Sequence, residues 1–168
     1  MKVEWMGRYR ELVALLVQHS NITARAATQP LQLSPDLRMS SVSWQVLEYL
    51  IEHEDDDACM IRLSESLGIP QSSFSKIARQ LTEQGLVARY RTTANRKNII
   101  LKPTEEAREL YASVSPVLFE RAFRRFFESL DGLDDASLSV FTAALRGLNE
   151  QLCLMGEPQA PAALVKEN

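Results

Sequence analysis

Apolar residues recur at helical spacing over most of the chain, whereas two short runs have the composition of strands. Residues 3 to about 28 repeat apolar side chains at steps of three and four, which predicts a long N-terminal helix. Pro30 to Met39 reads as a connector, and Ser40 is placed to cap a second helix. We expect the buried side of that second helix to carry Trp44, Leu47, Tyr49, Leu50 and Ile51.

The middle of the chain has the pattern of a helix-turn-helix followed by a hairpin. A short helix over roughly Met60 to Leu67 is expected to end at Gly68, since glycine suits the left-handed position after a helix. The stretch IPQSSFSKIARQLTEQGLV predicts a further helix from near Gln71 to Gly85. The β-rich runs LVARYR and NIILK then flank the polar TTANRK, which predicts a two-stranded hairpin.

The C-terminal third returns to helical spacing. Pro103 and Thr104 are expected to open a helix that reaches about Ser129 and kinks at Pro116. The last helix has a seam with heptad-type steps, formed by Leu138, Phe141, Leu145, Leu148 and Leu152. Such a seam indicates dimerisation, and the alternative is a helix that packs only within its own chain.

These elements predict a mainly α fold, a winged helix-turn-helix lobe with a two-stranded hairpin plus long N- and C-terminal helices. We divide the chain into an N-terminal helix (1–30), a winged helix-turn-helix lobe (40–104), C-terminal helices (105–155) and a flexible tail (156–168).

Charge is distributed unevenly along the chain. Between Gln71 and Lys102 there are seven cationic residues and one anionic residue, a net charge of +6. The formal charge of the whole chain is −3, so the remainder carries −9. This asymmetry indicates a surface that binds a polyanion on an otherwise acidic body, and the alternative is a basic surface that is merely solvated.

The helix from Gln71 has two opposite faces when it is projected at 100° per residue. Phe74, Ile77, Ala78 and Leu81 form one apolar face. The opposite face and the hairpin supply hydrogen-bond donors that suit base edges and phosphates. The candidate DNA-binding residues are Gln71, Ser72, Ser73, Ser75, Lys76, Arg79, Arg89, Arg91, Arg96 and Lys97. Capping or solvation remains open for Ser72 and Ser75, and a structural ion pair for Arg89.

MSSVSWQVLEYL, the core LSESLGIPQSSFSKIARQLTEQGLVAR, and the wing that runs into LKPTEEA resemble the MarR family of transcriptional regulators. The resemblance covers about residues 35 to 152. It implies a homodimeric winged-helix protein with a DNA-binding lobe and intertwined N- and C-terminal dimerisation helices, and members of the family often respond to small phenolic or lipophilic ligands or to oxidants. A two-fold dimer implies a palindromic double-stranded DNA operator. Two distant cysteines without metal-type spacing make the cytoplasm the default location. The wing tip departs from the family's Asp-x-Arg, because Asn95, Arg96 and Lys97 stand there, and Pro103 replaces the usual Leu.

An effector pocket is weakly indicated by the aromatic candidates Tyr9, His19, Trp44 and Tyr49, for each of which a core or interface role is the alternative. We expect Cys153 to be buried, Cys59 to be unreactive and the acidic run HEDDDA to be a solvated loop.

No enzyme motif, cofactor motif, metal spacing or membrane span is apparent in the sequence. The leading function is therefore sequence-specific DNA binding, and the alternative is a winged-helix module for protein association without DNA binding.

Overall fold

The computed structural model describes residues 4–27, 29–56, 59–91 and 99–156, which form seven α-helices and four short strands. By contact, the chain divides into two units, Met1–Ser115 and Pro116–Asn168. Of the predicted tail 156–168, Gly156 is the last residue of a helix and residues 157–168 lie outside the described residues. From the second helix to the hairpin after the helix-turn-helix, the order of helices and strands is the predicted one, whereas three helices follow that hairpin where two were predicted.

The N-terminal segment is not one continuous helix. Glu4–Tyr9 forms a 3₁₀ segment, and helix α1 spans Arg10–Ala26. Gly7 separates helical residues with φ of 47° and ψ of −129°, a conformation that glycine tolerates because it has no Cβ. The prediction of an uninterrupted helix from residue 3 was therefore wrong at Gly7.

The predicted connector contains a small hairpin. Strands β1 (Leu31–Gln32) and β2 (Arg38–Met39) pair antiparallel. Helix α2 follows over Ser41–Glu52, and Ser40 caps it as predicted, because its hydroxyl accepts a hydrogen bond from the Ser43 amide at 3.0 Å. The buried side of α2 includes Val46, whereas Tyr49 and Ile51 are only half-buried.

The helix-turn-helix and the hairpin form as predicted. Helix α3 spans Met60–Ser66 and helix α4 spans Gln71–Glu83. Gly68 and Gly85 have φ of 62° and 75°, so both helices are followed by a left-handed glycine. Strands β3 (Val87–Arg91) and β4 (Ile99–Pro103) then pair antiparallel, with Val87 opposite Pro103 and Arg91 opposite Ile99.

The core of the first unit lies between α2, the helix-turn-helix and the base of the hairpin. Its buried apolar residues are Met39, Trp44, Val46, Leu47, Leu50, Leu63, Phe74, Ala78, Leu81, Leu86, Val87, Ile100, Leu101 and Ala107. Helices α2, α3 and α4 and strands β3 and β4 all contribute residues to this core. Helix α4 and the hairpin are therefore packed against the same apolar residues.

The C-terminal helices are divided differently from the prediction. Helix α5 spans Glu105–Ala122 and contains Pro116, and helix α6 spans Arg124–Leu130. The interruption lies at Phe123, with φ of −119° and ψ of −17°, and not at Pro116. Helix α7 spans Asp135–Gly156 as predicted. The assignment of segments to dimerisation or DNA binding stays a prediction.

Candidate nucleic-acid interface

Helix α4 presents a polar face to solvent because its apolar face is anchored in the core. Phe74, Ala78 and Leu81 are completely buried. They recur at steps of four and three, so the residues between them face outward. The exposed residues of α4 include every predicted DNA-binding residue of this helix: Gln71, Ser72, Ser73, Ser75, Lys76 and Arg79.

The serines at the start of α4 do not cap it. The N-cap position is Pro70, which makes no side-chain capping bond. No hydrogen bond of the Ser72 or Ser75 hydroxyl occurs among the described residues. A capping role for these two residues therefore has no support in the structure, and both hydroxyl groups face solvent at the positive end of the helix dipole.

Arg79 has one neighbour of opposite charge on the same helix. Its Nε lies 3.7 Å from Oε1 of Glu83, one turn further along. The side chains of Arg79 and Glu83 are 71% and 69% exposed, so water screens this pair and it adds little stability. Arg79 is thus held loosely and can turn toward another acceptor.

The hairpin carries Arg89 and Arg91 on the same side of β3, because side chains alternate along a strand. Both arginines are exposed, and neither has an ion-pair partner among the described residues. The structural ion pair considered for Arg89 is therefore not seen in this part of the chain. The candidates Arg96 and Lys97 lie outside the described residues.

The base of the hairpin is bound to the acidic end of α2. Arg108 donates to both carboxylate oxygens of Glu54, at 2.9 Å from Nε and at shorter range from Nη2. Lys102 of β4 donates from Nζ to the Glu54 carbonyl at 2.6 Å. The hydrogen bonds from Arg108 hold the pKa of Glu54 below its ordinary value of 4.5. The expectation that HEDDDA is only a solvated loop is therefore wrong for Glu54.

Sequence reasoning missed this cluster because its members are far apart in the chain. Glu54 and Arg108 are separated by 54 residues, and no local pattern pairs them. A second contact of the same kind joins the Tyr111 hydroxyl to Glu52 at 3.0 Å. Burial and then the bond to Glu52 raise the pKa of Tyr111. The only signal in the sequence was the acidic run HEDDDA, which precedes the basic β3–β4 hairpin in the chain.

The structure does not bring the four effector candidates into one site. Tyr9 and His19 are exposed in the N-terminal segment. Trp44 is buried and stacks on Tyr111 with ring centroids 5.9 Å apart. The Tyr49 ring stacks instead on His53 at 4.0 Å. Within the described ranges no hydrogen bond or ring contact joins any two of the four residues, so an effector pocket at these residues stays a prediction.

The seam of α7 is largely uncovered within the chain. Leu138 is 39% exposed, Leu148 is 37% exposed and Leu152 is 56% exposed. Leu145 is also exposed, and Phe141 is half-buried. Burial of such a regular apolar seam is the usual driving force for helix pairing. Cys153 on the same helix is exposed within the single chain, so its expected burial stays a prediction that depends on the dimer, while Cys59 is half-buried.

Membrane-spanning helices and metal-binding clusters are both absent from the part of the chain that the structure describes. No helix there is long and apolar enough to cross a membrane. No group of three or more histidine, cysteine, aspartate or glutamate side chains there is placed to hold a metal ion.

Residues 39–97 match the sequence model of the MarR family. No curated protein matches the chain in sequence. The matched residues include helices α2, α3 and α4 and strand β3 and end before strand β4. The predicted resemblance to this family is confirmed.

Solved structures with the same fold extend the comparison to most of the chain. A MarR/EmrR family transcriptional regulator from Acinetobacter sp. ADP1 is 17% identical with a TM-score of 0.62, covering 85% of this chain and 95% of that one. CouR from Rhodococcus jostii RHA1, bound to p-coumaroyl-CoA, is 20% identical with a TM-score of 0.59, covering 83% and 92%. A mutant of ZitR from Lactococcus lactis in complex with DNA is 20% identical with a TM-score of 0.58, covering 88% and 99%. The predicted fold class is thereby confirmed.

Proposed function

We propose that this chain, with its MarR-type winged helix-turn-helix, is a transcriptional regulator that binds a palindromic DNA operator as a homodimer. The observation that carries the proposal is the solvent-facing side of α4, which presents serine, lysine and arginine while Phe74 and Leu81 fix the helix from beneath. A rigid helix with a donor-rich outer face fits the major groove of duplex DNA. The solved DNA complex of a protein with this fold supports the same assignment.

The residues of α4 divide by the group that each would contact. Ser72 and Lys76 suit phosphate oxygens, because a hydroxyl and an ammonium group bind them without reading sequence. Arg79 suits a guanine, whose O6 and N7 accept both arms of a guanidinium. Its loose pairing with Glu83 leaves it able to do so. Arg79 is therefore assigned to base reading, and Ser72 and Lys76 to positioning.

The hairpin would contact the sugar–phosphate backbone beside the groove. Arg89 and Arg91 are exposed on one side of β3 and are unpaired within the described ranges. Each arginine that meets a phosphate releases counterions and strengthens binding to any sequence. The hairpin is thus assigned to affinity and α4 to selectivity.

Two copies of the chain would pair through the exposed seam of α7, from Leu138 to Leu152. Large apolar side chains at heptad-type steps are expected to be covered in the working protein. A two-fold dimer would set its two α4 helices about 34 Å apart, one turn of DNA, and so select a symmetric operator.

Regulation by a small effector is the last component of the proposal. CouR, which has this fold, is bound to p-coumaroyl-CoA in its structure. We expect an effector of this chain to shift the population of the dimer between forms that bind DNA differently. Titration of candidate acids and thioesters into the protein–DNA complex would reveal such a ligand by release of the duplex.

The experiment that tests the function is selection of duplexes from a random pool by the purified protein. We expect enrichment of a two-fold symmetric site, a dimer by light scattering, and an affinity that falls steeply as salt rises. A pool without enriched sites would contradict DNA recognition. Enrichment of an asymmetric site by a monomer would contradict only the dimer.

The alternative role in protein association has weaker support. Among the described residues of α4, the exposed positions are polar or charged, whereas the core of a protein-binding surface is enriched in aromatic residues and depleted in charge. Failure to enrich any duplex in the selection would favour this alternative.

A further inference from the structure

The end of strand β4 is held from two sides. On one side Thr104 donates from Oγ1 to the Gly85 carbonyl at 2.8 Å, and its amide donates to the Leu86 carbonyl at 3.1 Å. These bonds join the strand to the end of α4. On the other side Lys102 and Arg108 bind Glu54, just beyond the end of α2.

Lys102 binds the main-chain carbonyl of Glu54, whereas the bond to Arg108 depends on the Glu54 carboxylate. Both of its oxygens accept from Arg108, the bidentate arrangement in which arginine binds carboxylates most strongly. Nη1 of Arg108 also donates to Glu105 at 2.8 Å, which fixes the guanidinium at the start of α5. The same residue therefore secures the loop after α2 to the segment that directly follows the hairpin.

The Arg108–Glu54 pair affects the direction of the β3–β4 hairpin more than the stability of the lobe. The side chains of Arg108 and Glu54 are 36% and 39% exposed, so the pair adds little to the free energy of unfolding. The hairpin base is already buried at Val87, Ile100 and Leu101. The contact therefore has more effect on the angle at which the strands leave the core than on whether the lobe folds.

A small change of that angle matters at the other end of the hairpin. From Lys102 to Ile99 the strand rises about 10 Å, so a tilt of about 10° at its base moves Ile99 by about 2 Å. A two-stranded ribbon has little stiffness of its own, so its direction depends on its base. A displacement of 2 Å is enough to lose a hydrogen bond to a phosphate.

We propose that Glu54 is a positioning residue for DNA binding, which aims the β3–β4 hairpin at the DNA backbone through the bond of its carboxylate to Arg108. This inference rests on the proposed function, since it concerns how the hairpin arginines reach phosphates. Glu54 itself does not touch DNA.

The test compares Glu54→Gln with Asp55→Asn, on the duplex enriched by the wild-type protein. Both substitutions remove one negative charge from the same loop, but Asp55 has no side-chain partner among the described residues. Electrostatics alone would make both variants bind DNA slightly more tightly, because a repulsive carboxylate is lost. A positioning role predicts instead that Glu54→Gln binds DNA more weakly than the wild-type protein.

We expect Glu54→Gln to weaken binding and to lower its salt dependence. Loss of one phosphate contact costs about eightfold at 0.1 M salt and lowers the slope of log affinity against log salt by about 0.9. A dimer that loses one contact in each protomer therefore loses at most about 60-fold in affinity and about 1.8 in the salt slope. The thermal midpoint and circular dichroism spectrum should match those of Asp55→Asn.

A double-mutant cycle isolates the contact. Glu54→Gln and Arg108→Gln should each weaken binding, and the double variant should be no weaker than Arg108→Gln alone. If Glu54→Gln does not fold, Arg108→Lys takes its place, because it keeps the charge and loses the bidentate geometry.

The outcomes separate this inference from the proposed function. Wild-type protein that binds no duplex overturns both. Wild-type binding together with a Glu54→Gln variant that matches Asp55→Asn in affinity and salt slope overturns the positioning role alone. Additive losses in the cycle also overturn it.

Discussion

Arg91 provides the sharpest test of the hairpin's proposed contact with DNA. It is exposed at the end of β3, opposite Ile99, and has no ion-pair partner among the described residues. Substitution by alanine removes the guanidinium without breaking a contact of the lobe. The thermal midpoint should therefore be unchanged, while binding to every duplex should weaken.

The expected size of the effect follows from the number of cations. The described part of α4 and the hairpin exposes three cations besides the base-reading Arg79, namely Lys76, Arg89 and Arg91, which makes six in a dimer. If all six meet phosphates, the slope of log affinity against log salt is about −5.4. Without Arg91 the slope becomes about −3.6, so doubling the salt lowers the affinity about 12-fold where it lowered it about 40-fold.

The assay is fluorescence anisotropy of a labelled duplex, from about 0.1 to 0.3 M potassium chloride. Arg125→Ala is the matched control, because it removes the same charge from an exposed position of α6. Any phosphate contacts outside the described residues add equally to both slopes and leave their difference intact. An unchanged slope for Arg91→Ala, or an equal decrease for Arg125→Ala, would refute the reasoning.

Three further predictions concern recognition of DNA sequence by α4, packing of the core and assembly of the dimer. Arg79→Ala should narrow the affinity gap between the selected duplex and random DNA by about 5- to 150-fold, measured by competition, since a bidentate contact to guanine discriminates by about 1–3 kcal/mol. Phe74→Ala should lower the free energy of unfolding by about 3–5 kcal/mol in a denaturant titration, whereas Gln80→Ala on the exposed side should not. Leu145→Glu should convert the dimer to a monomer by light scattering and keep the helical content, because a charge in the seam opposes its burial.

A pH dependence follows from the start of α7. Asp134 accepts a hydrogen bond from the Ser137 amide at 2.7 Å, which holds its pKa below the ordinary value of 3.8. A lowered folded-state pKa adds stability that is present above the ordinary value and is lost as pH falls through the folded-state value. The acid-induced fall in thermal midpoint should therefore be smaller in Asp134→Asn, which keeps a capping side chain at every pH. Equal falls in both proteins would contradict this role.

The parts of the fold that were predicted correctly depend on local signals. Ser40 caps α2 and Gly68 and Gly85 follow their helices, because capping and left-handed turns are decided by a few neighbouring residues. The break at Gly7 was missed because its neighbours keep the helical pattern. The pairing of β1 with β2 involves only two residue pairs, too few to leave a pattern.

The candidate site was predicted unevenly for the same reason. The outward face of α4 follows from helical periodicity, so exposure of Ser72, Lys76 and Arg79 could be read from spacing. The partner of Glu54 could not, because tertiary packing brings Arg108 to it across 54 positions of sequence. Periodicity predicts which side of a helix is exposed. It does not predict which residue from a distant part of the sequence contacts the loop at the end of a helix.

The structure also changes what the net charge of +6 means. That count treats the seven cations between Gln71 and Lys102 as equivalent. Lys102 instead points its ammonium at the Glu54 carbonyl, and Arg79 lies near Glu83. Among the described cations of the segment, Lys76, Arg89 and Arg91 are exposed without an ion-pair partner. Lys76, Arg89 and Arg91 are therefore the cations of the described segment that can meet phosphates and set the salt slope, whereas Arg79 is assigned to base reading and Lys102 ties the hairpin to the loop after α2.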